Sequence, residues 1–452
     1  MSTVSLPTSQ TADSPPLWQQ LQACSQALRA VRGGSNHALA LASVEPRLRA
    51  AAQALLFAVL REWGRTQAIR QHLVSRSPPP AVDALLCVGL ALAIADESAM
   101  YPMHTLVNQL VEAAKRDPST RAQAAFINAC VRRFGREKTA CLQAVAQKPQ
   151  ARWNHPEWWI SAVKQDHAQH WQAILQASLV AAPMAVRVNR RRMAREELQA
   201  KWLAAGVQTQ SIGEDGLLLQ QARPVTALEG FAQGWFSVQD AGAQLAAPLL
   251  LQGLTTGSQK TLRVLDACAA PGGKTAHLLE RADVEVLALD IDAARCERIS
   301  DNLQRLGLQA TVLCADAAIA SSWWDGQAFD AILLDAPCTA SGIVRRHPDI
   351  PWLRRQTDLA ALAKQQKNLL QALWPLLAKG GHLLYCTCSL FRQEGLDQVQ
   401  AFLANNTEAH LLPSPGQLIP GIPSNTRSLS DNLAGEHDGF FYALLERRAT
   451  GT

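Results

Sequence analysis

No stretch of this 452-residue chain stays apolar for the roughly 18 residues that a membrane-crossing helix needs. The longest apolar run, Ala84 to Ala95, is about a dozen residues and reads as a buried helix. The opening residues, Met1-Ser2-Thr3-Val4-Ser5, form neither a charged nor an apolar leader, so a secretory signal is not expected and a cytoplasmic location is. Charged residues make up only 18% against 48% apolar, which excludes a disordered chain. No internal repeat is evident. The ten cysteines have no secretory context, so reduced thiols are expected rather than a disulfide framework.

What is present divides unevenly. A chain of this length exceeds one ordinary core, so two or three domains are expected. Residues 1–200 hold 23 Lys and Arg against 13 Asp and Glu, whereas residues 201–452 hold 20 against 25. The N-terminal part is therefore the expected phosphate-binding surface, although a solvated basic face gives the same count.

Residues 1–16, rich in Ser, Thr and Pro, are expected to be a disordered tail. Residues 17–150 have helical periodicity, clearest in Leu48, Ala51, Ala52, Leu55, Leu56, Val59 and Leu60. A break is expected over Ser75–Pro80, and Pro102 and Pro118 mark helix starts. Residues 151–235 read as a small α+β connecting segment. In it a strand from Pro183 runs into Arg190-Arg191-Arg192, a basic turn that is either a solvated face or a contact for RNA backbone.

Residues 236–452 alternate strand and helix, the pattern of a parallel, doubly wound sheet. Strands are expected at Thr261–Cys268, Val284–Asp290, Ala310–Cys314, Phe329–Asp335 and His382–Thr387. The clearest helix runs from Leu359 to Leu377, with Gly380-Gly381 ending it.

The first of these strands turns into its helix through Cys268-Ala269-Ala270-Pro271-Gly272-Gly273-Lys274-Thr275. Small residues there let a ligand approach the backbone. A nucleoside-triphosphate loop requires an opening glycine where Cys268 stands, and a dinucleotide loop requires G-x-G-x-x-G, so both patterns fail. Asp290, ending the second strand, is placed to hold ribose hydroxyls. A cofactor with a ribose and no phosphate suits the loop, and S-adenosylmethionine is one. Asp316, after the third strand, either reaches an adenine amino group or caps a helix.

Asp335 and Cys338 follow one strand, and Cys388 follows another. Cytosine C5 is a poor nucleophile until a thiolate adds to C6. The reaction then needs a partner for N3 and a base for the C5 proton. Cys338, Asp335 and Cys388 are residues of those types at strand ends. Cys24, Cys87, Cys130, Cys141, Cys296 and Cys314 are expected to be small buried hydrophobes. Cys386 and Cys388 have no second close pair to complete a zinc site, so no metal is expected. Cys386 points to the opposite side of its strand from residues 385 and 387 and need not share the role of Cys388.

The runs Asp266–Thr275, Asp335-Ala336-Pro337-Cys338 and Thr387-Cys388-Ser389 resemble the signature motifs of the RNA (cytosine-5)-methyltransferases. The likeness is closest to the branch acting on bacterial small-subunit (16S) ribosomal RNA. Val238-Gln239-Asp240-Ala241-Gly242-Ala243-Gln244-Leu245, Arg345-Arg346-His347-Pro348-Asp349-Ile350 and Asp438-Gly439-Phe440-Phe441 support it. The helical N-terminus is similar to a NusB-like RNA-binding domain, and the resemblance covers nearly the whole chain.

The resemblance implies an all-α NusB-like domain, a small α+β linker domain and a Rossmann-like methyltransferase domain. It implies transfer of a methyl group from S-adenosylmethionine to C5 of a cytidine in 16S ribosomal RNA through a Cys–C6 adduct. Cys388 then corresponds to the attacking thiol, Cys338 to the thiol that resolves and releases the adduct, and Asp335 to a carboxylate serving cofactor pocket and base. Cys268, Ala269, Ala270, Pro271, Gly272, Gly273, Lys274, Asp290, Asp316 and Asp335 correspond to the cofactor contacts. The implied partner is small-subunit ribosomal RNA, with no membrane and no metal, and a monomer is expected. Thr339-Ala340-Ser341-Gly342 stands where many relatives have Ser-Gly-Thr-Gly, and Cys386 where Ala is commoner. Two rival readings are a ribosome-assembly factor without turnover and the same chemistry on transfer RNA.

Overall fold

The computed structural model describes residues 15–94, 101–254, 261–422 and 435–448. Residues 1–14 of the expected tail, and Ala95 at the end of the expected apolar helix, lie outside the described residues. The chain forms two compact units, residues 1–180 with 344–355, and residues 181–343 with 356–452. No described helix is long and apolar enough to cross a membrane.

The first unit is helical. Its main helices are Leu17–Arg32, Pro46–Arg61, Trp63–Leu73, Pro80–Ile94, Met103–Arg116 and Ala124–Arg136. Pro46 starts its helix, where the missing N–H has no intrahelical partner to lose. The same helix buries Leu48, Ala52, Leu55, Leu56, Val59 and Leu60 as one stripe. Pro80–Ile94 is buried on all sides from Ala81 onward, as its apolar run from Ala84 requires, and its one charged residue, Asp83, is paired with Arg32 at 3.0 Å and Arg70 at 3.3 Å. Pro102 precedes a helix, but Pro118 does not. It sits in a turn closed by Thr120 N–H onto Asp117 O, and the next α-helix begins only at Ala124.

Residues 344–355 also belong to this unit. Asp349 receives the main-chain N–H and the ring Nδ1 of His37, both at 2.9 Å, and Arg61 Nη2 donates to Arg345 O at 3.0 Å. Trp352 and Leu353 pack on the helical core.

The second unit contains two sheets. The smaller is antiparallel, of order β2-β3-β1-β4, with β1 Ala185–Val188, β2 Thr209–Ile212, β3 Gly216–Leu219 and β4 Phe236–Val238. The basic turn after β1 serves this fold. Arg191 Nη2 donates to Ala282 O at 2.8 Å, close to the end of the helix Gly273–Arg281. Arg192 Nε donates to Leu306 O at 3.4 Å, at the end of the helix Ala293–Leu306. Cations at helix C-termini meet unpaired carbonyls and the negative end of the dipole.

The larger sheet has the order β10-β11-β9-β8-β5-β6-β7. Its strands are β5 Leu262–Asp266, β6 Val284–Asp290, β7 Thr311–Cys314, β8 Phe329–Asp335, β9 Leu377–Thr387, β10 Ala409–Leu418 and β11 Phe440–Arg447. The strands β9, β8, β5, β6 and β7 run parallel, as expected. Period-two alternation gives each strand two buried faces. Val264, Ala288, Leu333 and Leu384 fill one core, and Leu265, Leu289, Leu334 and Tyr385 the other.

Two expectations change here. The long helix spans Gln356–Leu373 and does not reach Leu377. Pro375 has no N–H to continue it, and Leu377 already starts β9, so Gly380-Gly381 lies inside a strand. The sheet also gains antiparallel β10 and β11 at one edge. Pro413, Pro415 and Gly416 disguised β10, and only an edge strand with a bulge tolerates them.

Candidate functional site

The order in which strands are added reverses between the parallel neighbours β5 and β8. From β5 the connections run outward through β6 to β7, and from β8 outward to β9. The crevice at the C-terminal ends of these strands is where a doubly wound sheet binds ligands. Every candidate residue lies at that end.

The loop after β5 is held to both neighbouring strands. Ala267 N–H donates to Leu333 O at 2.9 Å and Ala269 N–H to Leu289 O at 2.8 Å. Gly272 has φ +90°, a left-handed conformation that favours glycine. A Cβ added at Gly273 would meet only Gln239 Nε2, at 3.7 Å, so the backbone there is open to a ligand. Asp290 accepts Ala270 N–H at 3.2 Å and lies 3.4 Å from Arg295 Nη1, which holds it against the loop. Asp316 Oδ1 accepts Ala318 N–H at 2.9 Å and closes its own turn, leaving its other oxygen for a second role.

Beneath the loop, Asp266 is fully buried and accepts the Thr275 hydroxyl at 2.7 Å through Oδ2, while Oδ1 is buried without a partner. Burial pushes this carboxyl up to about 7, and the nearby Asp335 adds to the effect. Burial, followed by Asp335, Asp266 and Asp290, also pushes the Cys268 thiol far up, so Cys268 lines the loop as a neutral thiol. Asp290, bonded to the loop, and Asp335, bonded to Lys274 of the loop, are carboxylates that suit a cationic, ribose-bearing ligand. S-adenosylmethionine carries a sulfonium and an ammonium, so the residues present fit it.

The strands β8 and β9 bring the other residues together. Asp335 and Cys386 are paired across them. Cys386 Sγ lies 3.5 Å from Asp335 Oδ1, and Lys274 Nζ donates to Asp335 Oδ2 at 2.6 Å. Burial pulls the Lys274 ammonium down, but Asp335, Cys386 and Cys388 together more than offset this, and its net shift is upward. Lys274 thus stays cationic beside the thiols and lies 5.6 Å from the Phe440 ring centroid. Cys386 therefore joins the site through Asp335, a role its strand parity alone did not reveal.

Cys338 Sγ and Cys388 Sγ lie 3.5 Å apart. The Cys388 bond and burial hold the Cys338 thiol well above the usual thiol range, so Cys338 is the protonated partner. Cys338 is buried and Cys388 is partly exposed, which leaves Cys388 the sulfur open to a ligand. Of the cysteines expected to be inert, Cys24, Cys87, Cys130, Cys141 and Cys296 are buried, but Cys314 is exposed. It ends β7, at the rim of the sheet.

The supporting motifs meet behind this pair. Asp240 Oδ1 accepts Asp438 N–H at 3.0 Å and Gly242 N–H at 2.8 Å, and Tyr442 OH donates to Gly242 O at 2.8 Å. Gly342 N–H donates to Cys388 O and Gly439 N–H to Gly342 O, both at 2.9 Å. A Cβ on Gly342 would fall 2.0 Å from Gly439 O, so glycine is required there. Asp349, by contrast, lies in the first unit with His37. Sequence inspection missed Glu394 and Gln366 as members of this site, because no local spacing announces them, and it quoted Thr339, Ser341 and Ser389 only as parts of motifs, without a role.

Comparison with known proteins agrees with the domain order and the fold. A family model described as 16S rRNA methyltransferase RsmB/F matches residues 254–446. A ferredoxin-like domain of RsmF/B-like methyltransferases matches residues 155–226, and the NusB family matches residues 19–136. The chain is 40% identical over 414 residues to ribosomal RNA small subunit methyltransferase B of Vibrio cholerae, covering 90% of this chain and 91% of that one. It is 40% identical over 440 residues to the protein of that name from Pseudomonas syringae pv. tomato, covering 94% and 96%. The crystal structure of PH0851 shares the fold at a TM-score of 0.73 and 23% identity, over 96% of this chain and 99% of that one. With such identity over nearly its full length, the chain belongs to the family of the ribosomal RNA small-subunit methyltransferase B proteins.

Proposed function

We propose that this chain methylates C5 of a cytidine in small-subunit ribosomal RNA, using S-adenosylmethionine and a transient bond from Cys388 to C6. The observation that carries the proposal is the 3.5 Å approach of the two sulfurs, one protonated and buried and the other partly open, beside the cationic Lys274. Cys268, Ala269, Ala270, Pro271, Gly272, Gly273, Lys274, Asp290, Asp316 and Asp335 would hold S-adenosylmethionine. When bound, it supplies an electrophilic methyl group on a sulfonium.

The chain's own groups do the rest. The Cys388 sulfur, beside the Lys274 ammonium, adds to C6 as the nucleophile and makes C5 enamine-like. Asp335, held between Lys274 and Cys386, is the carboxyl offered to the N3 edge of the base. The buried Cys338 stays a thiol until release. Loss of the C5 proton to a base then re-forms the C5–C6 double bond and expels the Cys388 thiolate. Cys338 is assigned to this release. The target base has to leave its stack to reach the sulfur. The helical domain, residues 17–150, with its excess of arginine, is assigned to the RNA backbone.

Cys388→Ala is expected to abolish methyl transfer to ribosomal RNA in vitro, and unchanged transfer refutes the proposal. Cys338→Ala is expected to accumulate a protein–RNA adduct, seen as a band stable in denaturing gels. Its absence removes Cys338 from the release step. Tritium release from C5-labelled cytidine in ribosomal RNA against transfer RNA identifies the substrate.

A further inference from the structure

We propose that Glu394 is a positioning residue whose buried carboxylate ties together the segments that follow Cys338 and Cys388, and so sets the separation of the two sulfurs. The inference rests on the reading of the two thiols given above.

Glu394 is fully buried, yet it faces no cationic side chain within ion-pair distance among the described contacts. Its oxygens are taken by neutral donors. Thr339, the residue after Cys338, donates its main-chain N–H to Oε1 at 2.8 Å and its hydroxyl to Oε2 at 2.5 Å. Ser389, the residue after Cys388, donates its hydroxyl to Oε2 at 2.6 Å. Gln366 Nε2, from the helix Gln356–Leu373, reaches Oε1 at 3.3 Å. One carboxylate thus holds the immediate neighbour of each thiol.

Its main chain is anchored as well. The Glu394 carbonyl accepts Tyr385 OH at 2.7 Å and the Thr387 hydroxyl at 3.3 Å, both from β9. Burying a charge-bearing group costs free energy that only specific contacts offset. A second brace runs beside the first, in which Ser341 Oγ lies 3.0 Å from Ser389 Oγ and accepts Leu390 N–H at 2.7 Å. Ala340, between Thr339 and Ser341, has φ +61°, so the segment after Cys338 is held in a conformation it does not favour by itself. Glu394 bonds to the residues that follow the two thiols, and its charge also helps raise the Cys338 thiol, so it acts through other groups as a positioning residue.

The test uses the full-length chain with Glu394→Gln and Glu394→Ala. Glutamine keeps the shape and can still accept Thr339 N–H, while the two hydroxyls turn to accept its amide. Three readouts are taken: S-adenosylmethionine affinity, kcat and KM for methyl transfer to ribosomal RNA lacking the modification, and the equilibrium of a Cys338–Cys388 disulfide against a glutathione couple, with peptide mapping. In that exchange oxidised glutathione takes two electrons and two protons from the two thiols and leaves as two thiols. The disulfide therefore measures sulfur spacing without reference to RNA.

Glu394→Ala is expected to lower kcat by about 30-fold or more, because a misplacement near 1 Å costs on that order. KM and S-adenosylmethionine affinity should stay within about threefold, and the disulfide equilibrium should shift about tenfold toward the open thiols. Glu394→Gln should restore most of both. Unchanged kcat and disulfide equilibrium in Glu394→Ala overturn the proposal, and so does equal loss of all three readouts in both variants. If Glu394→Ala does not fold, Thr339→Val with Ser389→Ala takes its place under the same criteria. If Cys388→Ala retains methyl transfer, the covalent reading fails while the disulfide still reports on Glu394, so the two failures are separable.

Discussion

Two carboxylates are buried beside this site, and they are satisfied in opposite ways. Glu280, under the cofactor loop, receives the Arg187 guanidinium at 2.7 and 2.8 Å, and Arg187 Nη1 also donates to Gly273 O at 2.9 Å. Glu394, beside the thiols, takes only an amide N–H, two hydroxyls and a side-chain amide. Burial is the largest influence on both and raises both carboxyls. Arg187 pulls Glu280 back, and the Ser389 and Thr339 donors pull Glu394 back. The difference teaches how each region tolerates change. Removing one half of a buried ion pair strands a charge, whereas a network of neutral donors can turn its hydroxyls and keep its shape.

The largest effect should come from the charged region. Arg187→Ala leaves Glu280 buried and uncompensated, and is expected to cost about 3–5 kcal/mol in denaturant unfolding followed by tryptophan fluorescence. Replacing both partners with methionine should recover most of that loss. If the single and double replacements cost the same, the contrast between the two regions does not hold.

A third carboxylate sharpens the comparison. Asp266 has one hydroxyl donor and an oxygen without a partner. Its folded carboxyl keeps its proton up to about 7, against 3.8 for the free group, so between those values the folded state binds more protons than the unfolded state. Stability should therefore fall as pH rises through this window, by an amount on the order of a few kcal/mol. Asp266→Asn should flatten the profile measured by thermal unfolding from pH 4 to pH 8. An unchanged slope assigns the pH dependence to another group.

The smallest effect belongs to the backbone near Cys338. Ala340→Gly relieves a left-handed φ of +61°, and is expected to change stability by about 1 kcal/mol or less. Methyl transfer should persist, since glycine occupies this conformation without strain. A loss of activity without a loss of stability would show that the alanine methyl itself packs against a ligand.

Much of this was readable in the chain. The strands from β5 to β9 were visible because their apolar runs end in short, small-residue or acidic turns, and the loop from Cys268 to Lys274 was visible through its glycines. β10 was not, because Pro413 and Pro415 are incompatible with a central strand and only its edge position excuses them. The end of the long helix was misplaced because the leucine stripe continues past Pro375 into β9. The arginines of the turn after β1 read as either a solvated face or an RNA contact; they are exposed, and Arg191 and Arg192 also donate to carbonyls at helix ends far along the chain.

By itself the sequence determined which reactive groups end which strands, since strand alternation and turn chemistry are local and survive without the rest of the fold. The glycine turn also carried the expectation of a ribose-bearing cofactor. Only tertiary structure decided that the two sulfurs meet at 3.5 Å, that Cys386 leans on Asp335, and that Glu394 grips Thr339 across 55 residues of chain. Such contacts depend on how β8 and β9 are placed side by side, and pairing over that distance leaves no periodic trace in composition or spacing.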